Sequence, residues 1–180
     1  MRTSLKKIQI VFFSILFCTS AESQSHTDLI RYVNPFIGTA EGKTGRATMD
    51  NAYTNPGAVC PWGMMSVSPF NIYDTENVEM KRPSPYIYGN DYIAGFTHLN
   101  MSGTGFNEMG TFCLMPTTGS FNPSHTDTSP YSKETASPGY YSVMLDKYNI
   151  KVELTTTPRI AISRYTFPKG TSNICLLYTS

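Results

Sequence analysis

Charge is scarce in this chain: Asp, Glu, Lys and Arg together make up 15% of its 180 residues, and the formal net charge is only +1. No basic stripe interleaved with aromatics occurs, so the electrostatic footprint of a nucleic-acid-binding protein is missing. Histidine is rarer still. His26, His98 and His125 lie far apart, and none has a His or Cys partner at helical spacing, which excludes a sequence-local metal motif. There is no Gly-x-Ser-x-Gly elbow and no phosphate loop of P-loop spacing, so the common signatures of a serine hydrolase and a nucleotide hydrolase are both lacking. Long Ala/Leu/Glu/Lys runs are absent too, which argues against a helical bundle.

What the chain has instead is aromatic and apolar. Hydrophobic residues reach 40%, with 12 Tyr and 10 Phe, a composition that favours strands and supplies a sizeable core. The length matches one domain. Its first residues read as a targeting segment: Arg2, Lys6 and Lys7 precede the apolar run Ile8–Cys18, which is too short to span a membrane as a helix. Small residues at 19–21 and 21–23 both offer cleavage sites, the second being preferred. The bulky Phe17 before Cys18 suits lipid attachment poorly. Removing residues 1–23 takes three of the 14 basic groups and one of the 13 acidic ones, so the net charge moves from +1 to −1. Export to an oxidising compartment is expected, periplasmic, cell-surface or secreted, with residues 24–180 as a single β-sandwich domain. The remaining Cys60, Cys113 and Cys175 are odd in number. A Cys60–Cys113 bridge is one arrangement, and buried free thiols are the favoured one.

The stretch Ile93–Pro116 (IAGFTHLNMSGTGFNEMGTFCLMP) concentrates polar side chains among four glycines. It reads as a loop presenting those groups from a rigid sheet before a short strand, Thr111–Met115. Earlier, Tyr32–Thr39 reads as an extended entry segment with a turn at Asn34-Pro35, and residues 40–55 as a loop. In Gly57–Phe70, Met65, Val67 and Pro69 alternate with Ser66 and Ser68, the pattern of a half-buried strand. Trp62, the lone tryptophan, sits between Pro61 and Gly63 just before it. Residues 71–92 read as an exposed, aromatic-rich connection and Thr117–Pro138 as a second polar passage. Strict period two follows in Tyr140–Asp146 and Asn149–Thr157, joined by turn residues Asp146–Asn149, and a third strand spans Ile160–Phe167. These make a meander, and with the earlier strands an all-β antiparallel sandwich. The closing NICLLYTS reads as a further strand whose backbone needs partners, which points to a fragment of a longer protein.

Two chemical roles suggest themselves. Trp62 can stack on the C–H face of a sugar ring or simply pack in a core. His98 and Asn100 can exchange hydrogen bonds with hydroxyls or serve structural ones. Asp50, Asp91, Glu108 and Glu134 are acids or bases by type, with surface solvation as their ordinary fate.

Six segments in order resemble the N-terminal domain of glycoside hydrolase family 92, bacterial exo-acting α-mannosidases. They are YVNPFIGT (Tyr32–Thr39), NPGAVCPWGMMSVSP (Asn55–Pro69), IAGFTHLNMSGTG (Ile93–Gly105), TFCLMP (Thr111–Pro116), SPGYYSVML (Ser137–Leu145) and VELTTTPRIAISRYTFP (Val152–Pro168). The resemblance implies an N-terminal sandwich followed by a catalytic helical toroid that this chain does not contain. It implies calcium-dependent hydrolysis of terminal α-linked mannose with inversion, by an acid and a base roughly 6.5–9.5 Å apart. In the family both carboxylates, and most of the calcium site, belong to the helical part, so no catalytic or metal residue is assigned here. The substrate-binding candidates are Trp62, Phe96, His98 and Asn100, lining a sugar pocket against the chain's own helical domain. Many members carry Thr and a second His where this chain has Leu99 and Asn100, which leaves α-1,2, α-1,3, α-1,6 and phosphate-capped mannosides all open. The alternative function is a stand-alone carbohydrate-binding sandwich without catalysis.

Overall fold

The computed structural model describes residues 29–40, 52–71, 84–103, 110, 112–120 and 127–179. The expected leader and its cleavage site, Asp50, Glu108, His26 and His125 lie outside these residues. A 3-10 turn at Leu29–Tyr32 precedes ten strands: β1 (Ala58–Val59), β2 (Ser66–Phe70), β3 (Tyr92–Ile93), β4 (Gly95–His98), β5 (Phe112–Thr118), β6 (Ser129–Ser137), β7 (Tyr140–Leu145), β8 (Ile150–Thr156), β9 (Ala161–Thr166) and β10 (Asn173–Thr179). They form two five-stranded sheets, β1-β2-β4-β5-β10 and β3-β6-β7-β8-β9. Every strand pairing is antiparallel. The all-β sandwich read from the sequence is the fold.

The meander forms as its periodicity dictates. Tyr141, Val143 and Leu145 of β7 and Ile150, Val152 and Leu154 of β8 are all buried, and the register pairs Val143 with Val152 and Tyr141 with Leu154. The same face meets Ala58, Val67, Phe96, Met115 and Leu176 of the first sheet in one continuous core. Each of the buried Val, Leu, Ile, Phe and Met side chains contributes about 1.5–3 kcal/mol. Asn149 closes the β7–β8 turn at a φ of +52°, a conformation that asparagine tolerates better than most residues.

The structure corrects several of the sequence-based expectations. The Gly-rich stretch is not a loop from its start: β3 and β4 occupy Tyr92–Ile93 and Gly95–His98, and the corner begins only at Leu99. Gly95 is required there, because at a φ of +152° a Cβ would run into the Cys113 sulfur. The polar passage Thr117–Pro138 contains β6, whose SPYSKETAS sequence has little strand propensity. Its backbone is recruited by β3 and β7 on either side, so pairing overrides local preference. β2 is not half-buried, since Ser66, Val67, Ser68 and Pro69 are all buried. Nor is the connection around Tyr86 exposed. Tyr86 is buried, and Asn71 locks the segment by accepting from the Ile87 amide at 2.7 Å and donating to the Ile87 carbonyl at 2.8 Å.

Cys60, Cys113 and Cys175 are all unpaired. Cys60 and Cys113 are half-buried, but Cys175 is exposed on β10, contrary to the expectation of uniformly buried thiols. Burial pushes the Cys113 thiol up to about 12. Among the described residues, no helix is long and apolar enough to cross a membrane.

Candidate functional site

The antiparallel register brings three of the four candidate side chains to one end of the first sheet. β2 starts at Ser66 and pairs with β4 so that Val67 lies opposite His98. The end of β4 and the start of β2 therefore coincide. The corner after β4 is tied there twice: the Leu99 amide donates to the Ser66 carbonyl at 2.9 Å, and the Ser66 hydroxyl donates to the Asn100 carbonyl at 2.8 Å. The turn carrying Trp62 enters β2 at the same point.

Trp62 is fully exposed and adopts a φ of +59°. The Gly63 amide donates to the Cys60 carbonyl at 2.8 Å, closing a four-residue turn with Pro61 and Trp62 at its centre. Proline at the second position and positive φ at the third define type II geometry, in which glycine normally takes the third place. A tryptophan there stores about 1–2 kcal/mol of backbone strain. Its ring recovers nothing from the core, because it does not touch it. Strained backbone of this kind is enriched at ligand clamps and active sites. The turn leans on the second sheet: Met64 and Met65 both donate to the Pro158 carbonyl, at 2.8 and 3.3 Å, and the exposed Met64 and Ile160 border it.

His98 is 5% exposed and stacks on Phe112, ring centroids 4.4 Å apart with planes 19° from parallel. Its Nδ1 has no hydrogen-bond partner. Burial lowers its pKa, partly opposed by the Phe112 and Phe96 backbone, so the ring is neutral at physiological pH. Asn100 is folded back on β4: its Oδ1 accepts from the Thr97 hydroxyl and its Nδ2 donates to the Thr97 carbonyl, both at 2.8 Å. Leu99 makes the corner possible at a φ of +60°. Of the four candidates, Phe96 and His98 are both buried, Phe96 completely. Phe96 lies in the core, two residues before His98 and on the same face of β4.

The remaining acids separate clearly. Glu134 is turned inward by a bulge in β6 between Ser132 and Thr135, where Lys133 takes a φ of +52°. Burial raises its pKa, and Tyr86 and Tyr141 donate to its two oxygens at 3.0 and 2.6 Å. Glu153 lies on the outer face of the second sheet, beside a shallow cavity of about 250 Å³ lined by Tyr140, Thr155, Ile162 and Arg164. Hydrogen bonds from Arg164, Tyr140 and Lys151, in that order of importance, hold its carboxyl near 2. Among the described residues, no three His, Cys, Asp or Glu side chains converge as a metal cluster. Phe112, Pro158 and Thr157 were not anticipated as neighbours of the candidates, since their part is set by pairing register and a backbone carbonyl, which leave no local motif.

The comparisons with known proteins agree with this architecture. An α-mannosidase of family 92 from Bacteroides thetaiotaomicron superposes with a TM-score of 0.68 at 31% identity, covering 83% of this chain and 20% of its own. A family 92 inverting mannosidase from Bacteroides thetaiotaomicron VPI-5482 gives a TM-score of 0.63 at 26% identity, covering 86% of this chain and 20% of its own. An uncharacterized secreted glycosidase of Arthroderma benhamiae is 28% identical over 158 residues, 81% of this chain and 18% of that protein. The chain thus spans about a fifth of the length of these relatives. Residues 32–180 match the model of the glycosyl hydrolase family 92 N-terminal domain, and to that family the chain belongs.

Proposed function

We propose that this chain is the N-terminal sandwich of an exported α-mannosidase that releases terminal α-linked mannose from glycans, with inversion and with calcium. The observation that carries the reading is the match from residue 32 to residue 180 to the family domain, together with the two mannosidase folds it superposes on. Export is supported by the basic and apolar leader and by a relative named a secreted glycosidase.

In this reading the sandwich supplies one wall of the sugar pocket and the helical remainder supplies the rest. Trp62 offers a flat apolar face for the C–H side of a mannose ring. The neutral His98 and the Asn100 amide address hydroxyls at the pocket floor. Phe96 acts from beneath, fixing the end of β4 from inside the core. The acid and base of the inverting step, and the calcium ligands, come from the helical part, and calcium there would help hold and polarise the sugar. The fragment without that part binds without turning over.

The test is to assay the full-length protein for mannose release from mannobiosides of defined linkage, with and without a calcium chelator. The reading requires release that the chelator abolishes, and a loss of at least tenfold in kcat/KM for Trp62→Ala. Absence of release from every α-linkage would remove the proposed activity.

A further inference from the structure

We infer that the β8–β9 turn, Thr157–Ile160, is the positioning element for Trp62, acting through the Pro158 carbonyl, with Gly63 as the residue that lets the two turns meet. The inference rests on the reading that Trp62 lines the sugar pocket.

A ring that stacks on a sugar must hold a fixed plane, and stacking tolerates little rotation. Trp62 cannot obtain that rigidity from its own surroundings. Its side chain is fully exposed and its backbone sits in a conformation that non-glycine residues leave readily when free to do so. The rigidity comes from the opposite sheet. One oxygen, that of Pro158, accepts from two successive amides, Met64 and Met65, immediately after the turn. The Cys60–Gly63 hydrogen bond closes the turn on its other side. Trp62 is thus held between two backbone anchors, Cys60 and Met64, four positions apart.

The Pro158 oxygen is itself aimed by its own turn. The Thr157 amide donates to the Ile160 carbonyl at 2.8 Å, and the Thr157 hydroxyl accepts from the Ile160 amide at 3.0 Å and the Arg159 amide at 3.4 Å. The Thr157 hydroxyl also donates to the Ile160 carbonyl at 3.5 Å, so four hydrogen bonds converge on Thr157 and set the direction of the carbonyl that follows it. Gly63 completes the arrangement. A Cβ there would lie 2.8 Å from the Cys60 carbonyl, clashing within its own turn, and 3.1 Å from the Pro158 Cα, pressing on the facing one. The two turns meet through these backbone hydrogen bonds, so the second sheet can orient the Trp62 backbone without touching its ring.

The experiment uses the full-length protein and four variants: Thr157→Val, Thr157→Ser, Gly63→Ala and Trp62→Ala. Amide hydrogen exchange is read at Met64 and Met65, and kcat and KM on the mannobioside that the enzyme cleaves. Thr157→Val should accelerate exchange at these two amides at least tenfold while β7 and the body of β8 keep their protection. It should raise KM several-fold with kcat within twofold, and Thr157→Ser should restore both. Gly63→Ala should reproduce the exchange result by a different route. Unchanged exchange and unchanged KM in Thr157→Val, beside a defective Trp62→Ala, would overturn the positioning role alone. An unaffected Trp62→Ala would overturn the pocket reading beneath it.

Discussion

The Tyr141 hydroxyl donates to the Glu134 carboxylate at 2.6 Å from a position of complete burial. Tyr86 supplies a second donor at 3.0 Å, and no basic side chain is among the causes that set the Glu134 pKa. Burial is the largest of those causes and raises it, with the two hydroxyls partly offsetting the effect. A raised carboxylate pKa means that the folded protein holds its proton more tightly than the unfolded chain. The resulting stabilisation is present at low pH and is lost as pH rises through the folded value.

Glu134→Gln should remove that dependence. Chemical denaturation of the variant should give a flatter stability profile from about pH 4.5 upward than the parent, with the two converging at lower pH. Parallel profiles across that range would mean that the carboxyl is ionised and fully compensated in the fold.

Glu153 has the opposite sign. Arg164, Tyr140 and Lys151 hold its carboxyl near 2, below its ordinary value. Its contribution is complete above the ordinary carboxylate range and disappears as pH falls from about 4.5 toward about 2. Glu153→Gln should make the protein less sensitive to acid across that window, and added salt should narrow the difference, because the Arg164 and Lys151 partners are solvent-exposed. Acid titration followed by circular dichroism checks both points.

Trp62→Gly separates strain from function. Glycine relieves about 1–2 kcal/mol of left-handed strain and adds about 0.5–1 kcal/mol of unfolded-state entropy. Stability should therefore stay within about 1 kcal/mol of the parent, while the proposed mannosidase activity of the full-length protein falls at least tenfold in kcat/KM. A steep drop in thermal stability would instead mark Trp62 as a packing residue.

Phe96→Ala should behave in the reverse way. The ring is wholly buried, so truncation should cost about 3–5 kcal/mol. Any loss of sugar binding should track unfolding measured in the same samples. Normal stability with lost binding would place the ring at the pocket surface.

The sequence exposed the meander because Tyr141, Val143, Leu145, Ile150, Val152 and Leu154 alternate with polar residues, and alternation encodes a buried face directly. It concealed β6, because Ser129–Ser137 carries no such alternation and is a strand only through its neighbours. β4 was disguised by Gly95 and by polar Thr97 and His98, all buried by cover on both faces of the strand. The candidate site was legible as a set of residue types, Trp62, His98 and Asn100. Their meeting point was not, since it depends on Val67 pairing with His98 and on the Pro158 carbonyl, and neither leaves a mark in local composition.

β10 pairs only with β5 among the described strands, so among those residues its other side is a seven-residue edge with no ladder partner. Its residues Asn173–Thr179 include no charge and no proline, the usual guards against adhesion between molecules. Preparations of the isolated 180-residue polypeptide should accordingly clump through this edge at high concentration. Leu177, already 61% exposed, is the place where a single lysine would keep the material monodisperse for crystallisation or spectroscopy.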